Sequence, residues 1–442
     1  MEEDRLHNGD HSNVRVHRAL PATPTAQEQD FLIHSTLASH PASASNPQHI
    51  CVVTETYLPE INGVALTLSN LVKGLIARGH TVSVVHPKAV NPSASSDQGQ
   101  SCCPEAIQVR GLPLPGYHGL QFGVPAQQLL RRHWTSHPPA VVYVATEGPL
   151  GWSAVRAARR LDIPIVSGFH TNFDRYCKYY GVGSLQYLAL KYLRWFHNQT
   201  DCTVVSNEDL RGRLQGAGFK NVAILERGVD SQLFNPRRRC ADLRAEWEVS
   251  EHDPVLIYVG RIAPEKNLSV AIEAYREMKR TNDRIKFVVV GDGPLRRALQ
   301  TEHPDLIFAG MRTGEQLARY YASADVFLFP SETETFGNVT LEAMASGLGV
   351  IAYNYACAKL HITDGETGVL VPFGDTKAFI TRACSLISEP QALKRIRRQA
   401  REYVTYLNWP RVVERFEALL MSAGGQRRSE FGSPITRRGL AT

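Results

Sequence analysis

No stretch of this sequence approaches the ~18 consecutive apolar residues that a membrane-crossing helix needs, and the N-terminus lacks the charged-then-apolar layout of a secretory signal. The expectation is a cytoplasmic chain that touches a membrane, if at all, from the inner face. Cysteine is sparse: eight in 442 residues, none in C-x-x-C spacing, which argues against a disulfide scaffold or a thiolate zinc site. The histidines show no ligand spacing either, so no metal is inferred. Asp-x-Asp, the usual bridge from a divalent cation to a nucleotide diphosphate, is missing. So is an intact dinucleotide fingerprint: Gly291-Asp-Gly-Pro294 begins one, but Pro294 interrupts it and the third glycine is absent. Nor is there a run of one charge. Lys+Arg 49 against Asp+Glu 43 gives +6, a mild basic excess that suits anionic ligands and falls far short of a nucleic-acid tail.

What is present fits a globular α/β protein. Hydrophobic residues make up 43% and charged residues 21%, enough to fill two ordinary cores, and the length predicts two or three domains. Residues 1–48 are rich in His, Pro, Ser, Ala and Asn with little hydrophobic period, and are read as a disordered leader. From residue 49 short β-branched runs alternate with helical periods, the pattern of parallel βαβ units. Strands are expected at 49–54, 81–86, 141–145, 164–168, 202–206 and 222–225, with helices at 64–78, 151–161 and 185–197. Residues 91–106 read as a surface insertion, and one doubly wound domain spans 49–230. A polar linker with a short helix covers 231–253. A second domain at 254–408 repeats the rhythm, with strands at 255–260, 287–291, 306–309, 326–330, 350–353 and 369–371. A helix at 409–421 and a flexible tail at 422–442 complete the chain. Two such domains facing across a cleft bind ligands where their carboxyl strand ends meet.

Four constellations fall at those strand ends. The first, Ser331-Glu-Thr-Glu-Thr-Phe-Gly-Asn-Val-Thr-Leu-Glu342, follows an apolar strand and opens a helix near Phe336–Gly337. Free N–H groups at such a start, together with the helix dipole, form an anion site. Phe336, Gly337 and Asn338 would line it. Glu334 lies at its mouth and Glu342 two turns further on. A carboxylate accepts two hydroxyl hydrogen bonds, so one acid can hold a hexose and the other a ribose; an arbitrary pair of this kind is more often two solvated helix-start glutamates. In the second, Tyr258-Val-Gly-Arg-Ile-Ala-Pro-Glu-Lys-Asn267, Arg261 and Lys266 supply a fork and a point charge to a diphosphate in place of a metal ion. Away from a strand end, two such cations would be a surface pair. The third, Glu55-Thr-Tyr-Leu-Pro-Glu-Ile-Asn-Gly-Val64, offers Gly63 either for close approach to a phosphate or as a tight turn. The fourth, Ser167-Gly-Phe-His-Thr-Asn-Phe-Asp174, puts His170 at the same crevice, as a sugar contact or as a structural histidine.

In this order these residues resemble the retaining glycosyltransferases built from two Rossmann-like domains (the GT-B architecture), a large family that includes bacterial α-mannosyltransferases, sucrose synthases and sulfolipid synthases. The resemblance covers about residues 49–421. Glu334 and Glu342 match the family's Glu-x7-Glu acids, Arg261 and Lys266 its diphosphate pair, Gly63 its phosphate glycine and His170 its sugar-site histidine. Thr54-Glu-Thr-Tyr-Leu-Pro-Glu-Ile-Asn-Gly-Val64 and Gly168-Phe-His-Thr-Asn-Phe173 are most similar to GDP-mannose-dependent α-mannosyltransferases and related diacylglycerol glycosyltransferases. One departure is Ala352-Tyr-Asn-Tyr-Ala-Cys-Ala358, where many relatives carry a Gly-Gly turn.

The resemblance implies transfer of a hexose, mannose favoured, from a nucleotide sugar to an acceptor hydroxyl with retention and without a metal or other cofactor. Glu334 would hold sugar hydroxyls and Glu342 the ribose. Arg261 and Lys266 would offset charge on the leaving diphosphate, and His170 would orient the sugar. It also implies that the helix at 409–421 crosses back onto the N-terminal domain. The segment at 176–197 mixes aromatic, leucine and basic residues, as an interfacial helix or an ordinary sheet-packed one does. Arg156, Arg159 and Arg160 add charge for an anionic membrane surface, so a lipid or glycan acceptor is expected, with no nucleic acid. Rival readings are a diacylglycerol α-glucosyl- or sulfoquinovosyl-type transferase using a UDP-sugar, a nucleotide-sugar 2-epimerase, a two-lobed solute-binding protein and, more weakly, a dinucleotide oxidoreductase.

Overall fold

The computed structural model describes residues 46–60, 62–88, 104–113, 121–170, 183–334 and 337–430. The leader up to residue 45, most of the 91–106 insertion, Phe336 and positions 431–442 lie outside them. Two all-parallel sheets carry the molecule. The first has the order β3-β2-β1-β6-β7-β8-β9, built from His49–Val53 (β1), Thr81–Pro87 (β2), Glu105–Val109 (β3), Val141–Val144 (β6), Ile165–Gly168 (β7), Cys202–Val205 (β8) and Val222–Ile224 (β9). The second has the order β12-β11-β10-β13-β14-β15, from Val255–Val259 (β10), Lys286–Val290 (β11), Ile307–Gly310 (β12), Val326–Phe329 (β13), Gly349–Tyr353 (β14) and Val369–Val371 (β15). Strands 10, 11, 13 and 14 read as nearly continuous apolar runs because helices cover both faces of the sheet. Each sheet winds one way from its first strand and then reverses. The reversal lies between β1 and β6 in one and between β10 and β13 in the other, and crevices open at those points.

Three segments differ from the sequence expectation, each for a physical reason. Glu105 and Ala106, read as the end of the insertion, begin β3, which pairs parallel with β2 in the register Ser83 to Glu105. As an edge strand it buries only Val109, so it carries no apolar pattern. A two-stranded antiparallel sheet, Gly111–Pro113 (β4) with Gln121–Gly123 (β5), and the helix Gln127–Ser136 follow it. Residues 231–253, read as a polar linker, belong to the second core: Phe234, Leu243, Trp247 and Val249 are buried there, and buried Arg244 donates to the carbonyls of Ser323 and Asp253. The last helix, expected to end at 421, runs over Trp409–Glu430, because Ala423 is still buried in the first core.

That last helix ties the domains together. It packs on the helix Gly63–Ala77, where a Cβ on Gly74 would overlap the Val413 side chain, and Glu417 pairs with Arg78 and His80. Phe416 meets the Tyr143 ring edge-on at 4.8 Å. The two chain passages between the domains run side by side, Val229 N–H donating to the Leu407 carbonyl at 2.8 Å. A second link, between Lys359 and Asp209, crosses from the helix Ala356–His361 to the helix Glu208–Gly216.

Candidate active site

Neighbouring strands β10 and β13 deliver two loops side by side at the C-terminal domain's reversal point. Pro264–Lys266 forms one turn of 3-10 helix after β10, and from it Lys266 reaches across to the other loop. Its ammonium donates to the Thr333 carbonyl at 2.7 Å and to Glu334 Oε1 at 2.5 Å. The Ser331 hydroxyl donates to the same carboxylate oxygen at 2.8 Å. Arg261 shares the first loop but does not join this cluster: its guanidinium is half-exposed, 3.7 Å from Glu265. The incomplete fingerprint at Gly291-Asp-Gly-Pro294 supports that loop from behind. Ile262 N–H donates to the Asp292 carbonyl at 2.9 Å, and a Cβ on Gly291 or Gly293 would lie about 2 Å from the carbonyl oxygen of Gly260 or Ile262.

After Glu334 the chain turns at Gly337, whose φ of +95° is a left-handed conformation. The helix Asn338–Ala345 begins there, and no described side chain caps it. Its first N–H groups and dipole therefore offer an anion site. The Asn338 Oδ1 atom, buried at this start, has no hydrogen-bond partner among the described residues. Glu342, about one turn into this helix, accepts from the Tyr321 hydroxyl at 3.2 Å. Its carboxylate is partly exposed but recessed among protein atoms, and this burial pushes its pKa up to about 7, against the pull of the tyrosine bond.

The N-terminal side is assembled from pieces far apart in the chain. Asn62 caps the helix Gly63–Ala77, its side-chain oxygen accepting from Val64 and Ala65 N–H at 3.1 and 2.9 Å. Gly63 itself is exposed. Its φ is not positive, and a Cβ there would meet no protein atom within 4 Å. Among the described residues, neither turn geometry nor packing demands the glycine. His170, just past β7, bonds through Nε2 to the Tyr143 hydroxyl at 2.7 Å. A Cβ on Gly168 would fall 2.2 Å from that hydroxyl and 2.4 Å from the ring nitrogen, so only glycine permits this pair. Burial, then the Arg227 charge, hold the imidazole pKa down at about 3.

Of the sequence-predicted residues, the structure brings Lys266, Glu334 and Gly337 together, with Asn338 and Glu342 on the adjoining helix. It places Arg261 on the same rim, and Gly63 and His170 on the N-terminal side. Sequence reasoning missed Ser331, Tyr321, Tyr143 and Arg227. Tyr143 sits in a Val-Val-Tyr-Val strand, whose pattern alone reads as core. The available signal for Arg227 was its place just past the strand at 222–225. The aromatic helix Gly183–His197 has two characters: Leu193, Phe196 and His197 are buried, whereas Tyr187, Leu188, Tyr192 and Trp195 are exposed.

Comparison with known proteins identifies the family and the fold. The model for glycosyl transferases group 1 matches residues 241–403, and that for glycosyltransferase family 4 matches 61–233. A GDP-mannose-dependent alpha-mannosyltransferase of Mycobacterium tuberculosis is 31% identical over 387 residues, 86% of this chain and 98% of the relative. The sulfoquinovosyl transferase of Arabidopsis thaliana is 28% identical over 84% of this chain and 72% of its own. Among solved structures, sucrose-phosphate synthase from Thermosynechococcus elongatus superposes with a TM-score of 0.70 at 21% identity, covering 86% of this chain and 100% of that one. The two-Rossmann-domain architecture is thus shared.

Proposed function

The chain belongs to this family of two-domain glycosyltransferases, and on that premise we propose that it moves mannose from GDP-mannose to a hydroxyl of a membrane lipid, with retention and without a divalent cation. The observation that carries the reading is the Lys266–Glu334 contact at the β10/β13 reversal, beside the uncapped helix start at Gly337. Arg261, Lys266 and the helix start offset charge as the diphosphate leaves, which is electrostatic stabilisation with little covalent work for the protein. Glu334 holds sugar hydroxyls and Glu342 the ribose. The leaving phosphate oxygen takes the acceptor's proton, so His170 orients the sugar and transfers no proton. The donor assignment follows the names of three relatives, each 31% identical. Others, named alpha-monoglucosyldiacylglycerol synthase and sulfoquinovosyl transferase, support a lipid acceptor and make a UDP-sugar the alternative donor.

Among the described residues no helix is long and apolar enough to cross a membrane. Exposed Tyr187, Leu188, Tyr192 and Trp195, flanked by Lys191 and Arg194, form an interfacial face instead. Trp152 meets Trp195 with ring planes tilted by 44° and centroids 4.4 Å apart, and exposed Arg156, Arg159 and Arg160 lie on the same helix as Trp152. A thermal-shift panel of GDP, UDP and ADP tests the donor. A ligand at about 100 times its dissociation constant adds about 2.7 kcal/mol, so GDP should give the largest shift, and a larger UDP shift would transfer the reading to the UDP-sugar enzymes. Flotation with vesicles tests the acceptor side: binding should rise with anionic lipid and fall in a Lys191→Glu/Arg194→Glu variant, and indifference to both would contradict it. Product analysis without acceptor distinguishes transfer from epimerisation, which would consume donor and return an epimer.

A further inference from the structure

We infer that Arg227 is the positioning residue of the N-terminal half of the cleft, fixing the orientation and tautomer of His170 and joining it to the helix start at Gly63. Arg227 lies past β9, is buried, and spreads its guanidinium over three elements. One nitrogen donates to Thr67 Oγ1 at 2.6 Å and to the Gly63 carbonyl at 3.3 Å; the other faces His170 Nδ1 at 3.5 Å. Arg227 and His170 also line one cavity with Thr67, Ser206 and Glu226. A guanidinium only donates hydrogen bonds. Nδ1 is therefore the accepting nitrogen, the single ring proton sits on Nε2, and Nε2–H donates to the Tyr143 hydroxyl. Protonating Nδ1 would set one N–H against another and one positive charge beside a second.

Among the described residues, the titratable and charged groups facing the ring are Tyr143 from β6, Arg227 from beyond β9 and His197 from the helix Gly183–His197. Arg227 is the one that opposes protonation by direct contact. The same fork holds Gly63 and His170 at a fixed separation, and these are the two N-terminal residues assigned to the donor phosphate and sugar. The catalytic consequence rests on the glycosyltransferase reading; the tautomer assignment does not.

Two measurements on the full chain separate these. The first is the imidazole nitrogen spectrum of histidine-labelled protein, with His170→Gln to assign the signal. Wild type should show the Nε2–H tautomer with no titration down to about pH 5, and Arg227→Met should move the His170 midpoint up by about one unit or more. A wild-type His170 that carries its proton on Nδ1, or that titrates near 6.5, overturns the inference even if no variant folds. The second is GDP release from GDP-mannose with a lipid extract as acceptor. Arg227→Met should lower kcat about 100-fold with KM for the donor nearly unchanged, and Arg227→Lys should recover part of it. Unchanged kcat in a folded Arg227→Met overturns the positioning role. GDP-mannose left intact by wild type, with the spectrum as expected, removes the donor reading and leaves the tautomer assignment standing.

Discussion

The two faces of the cleft are made differently. On the C-terminal face the charged groups come from two loops at adjacent strand ends, and they meet as an ammonium and a carboxylate 2.5 Å apart. On the N-terminal face neutral groups dominate: a helix start, a phenol and an imidazole that burial keeps uncharged, with one buried guanidinium holding them. The difference teaches a division of labour. On the proposed function, the C-terminal face meets the diphosphate with Lys266 and half-exposed Arg261, while the N-terminal face orients the sugar through hydrogen-bonded His170. The N-terminal face keeps one charge among its described groups near His170, the Arg227 guanidinium, buried behind the neutral ones.

Removing the charged side should cost most. Lys266→Ala and Glu334→Ala are each expected to lower kcat/KM about 1,000-fold, the upper range for one preorganised electrostatic group, as read by GDP release from folded variants. Half-exposed Arg261 should give about 100-fold in kcat as Arg261→Ala with thermal stability unchanged. Comparable losses from Gly63→Ala with normal donor affinity would break the division.

On the neutral side, Gly168→Ala pushes a methyl group into the Tyr143–His170 bond. Turnover should fall about 100-fold by misplacing His170, while GDP affinity stays within about threefold of wild type because the proposed function assigns the nucleotide chiefly to Arg261, Lys266 and Glu342 on the other face. A large loss of GDP affinity in this variant would show that the faces are not separable.

Glu342 sharpens the comparison through pH. Its folded pKa, about 7, lies above the ordinary 4.5. Below about pH 4.5 the group is protonated in both states and contributes nothing. As pH rises from 4.5 to 7 the unfolded chain ionises first, so this carboxylate subtracts from stability until about pH 7 and then levels off. Glu342→Gln should therefore match wild type at pH 4 and exceed it at pH 8 by on the order of 2 kcal/mol, while weakening GDP binding about tenfold. Equal stability at both pH values would mean that burial does not raise this carboxyl. The smallest effect belongs to Ala356, a non-glycine residue held at φ +49°. Ala356→Gly should relieve that strain by about 1 kcal/mol in chemical denaturation and leave turnover unchanged.

The fold was legible where apolar runs were dense. The two sheets and their strand ends followed from β-branched runs and intervening helical periods. Edge strand β3 was not legible because three of its five residues are exposed, and Trp247 and Phe234 entered the second core from a segment whose Arg and Asp content reads as solvent-facing. In the site, the Glu334 and Lys266 signals were local, each a short motif behind a strand. Gly63, Tyr143, His170 and Arg227 meet only in the folded chain. No spacing in the sequence announces that meeting, because parallel strands bring together residues separated by whole crossovers.

Calorimetric titration of GDP into the wild-type protein, once with EDTA and once with manganese, is the most direct test of a diphosphate site built from Arg261, Lys266 and the helix start at Gly337. The account predicts the same affinity in both and a loss of at least about tenfold in Lys266→Ala under either condition. Binding that disappears with EDTA and returns with manganese would contradict it.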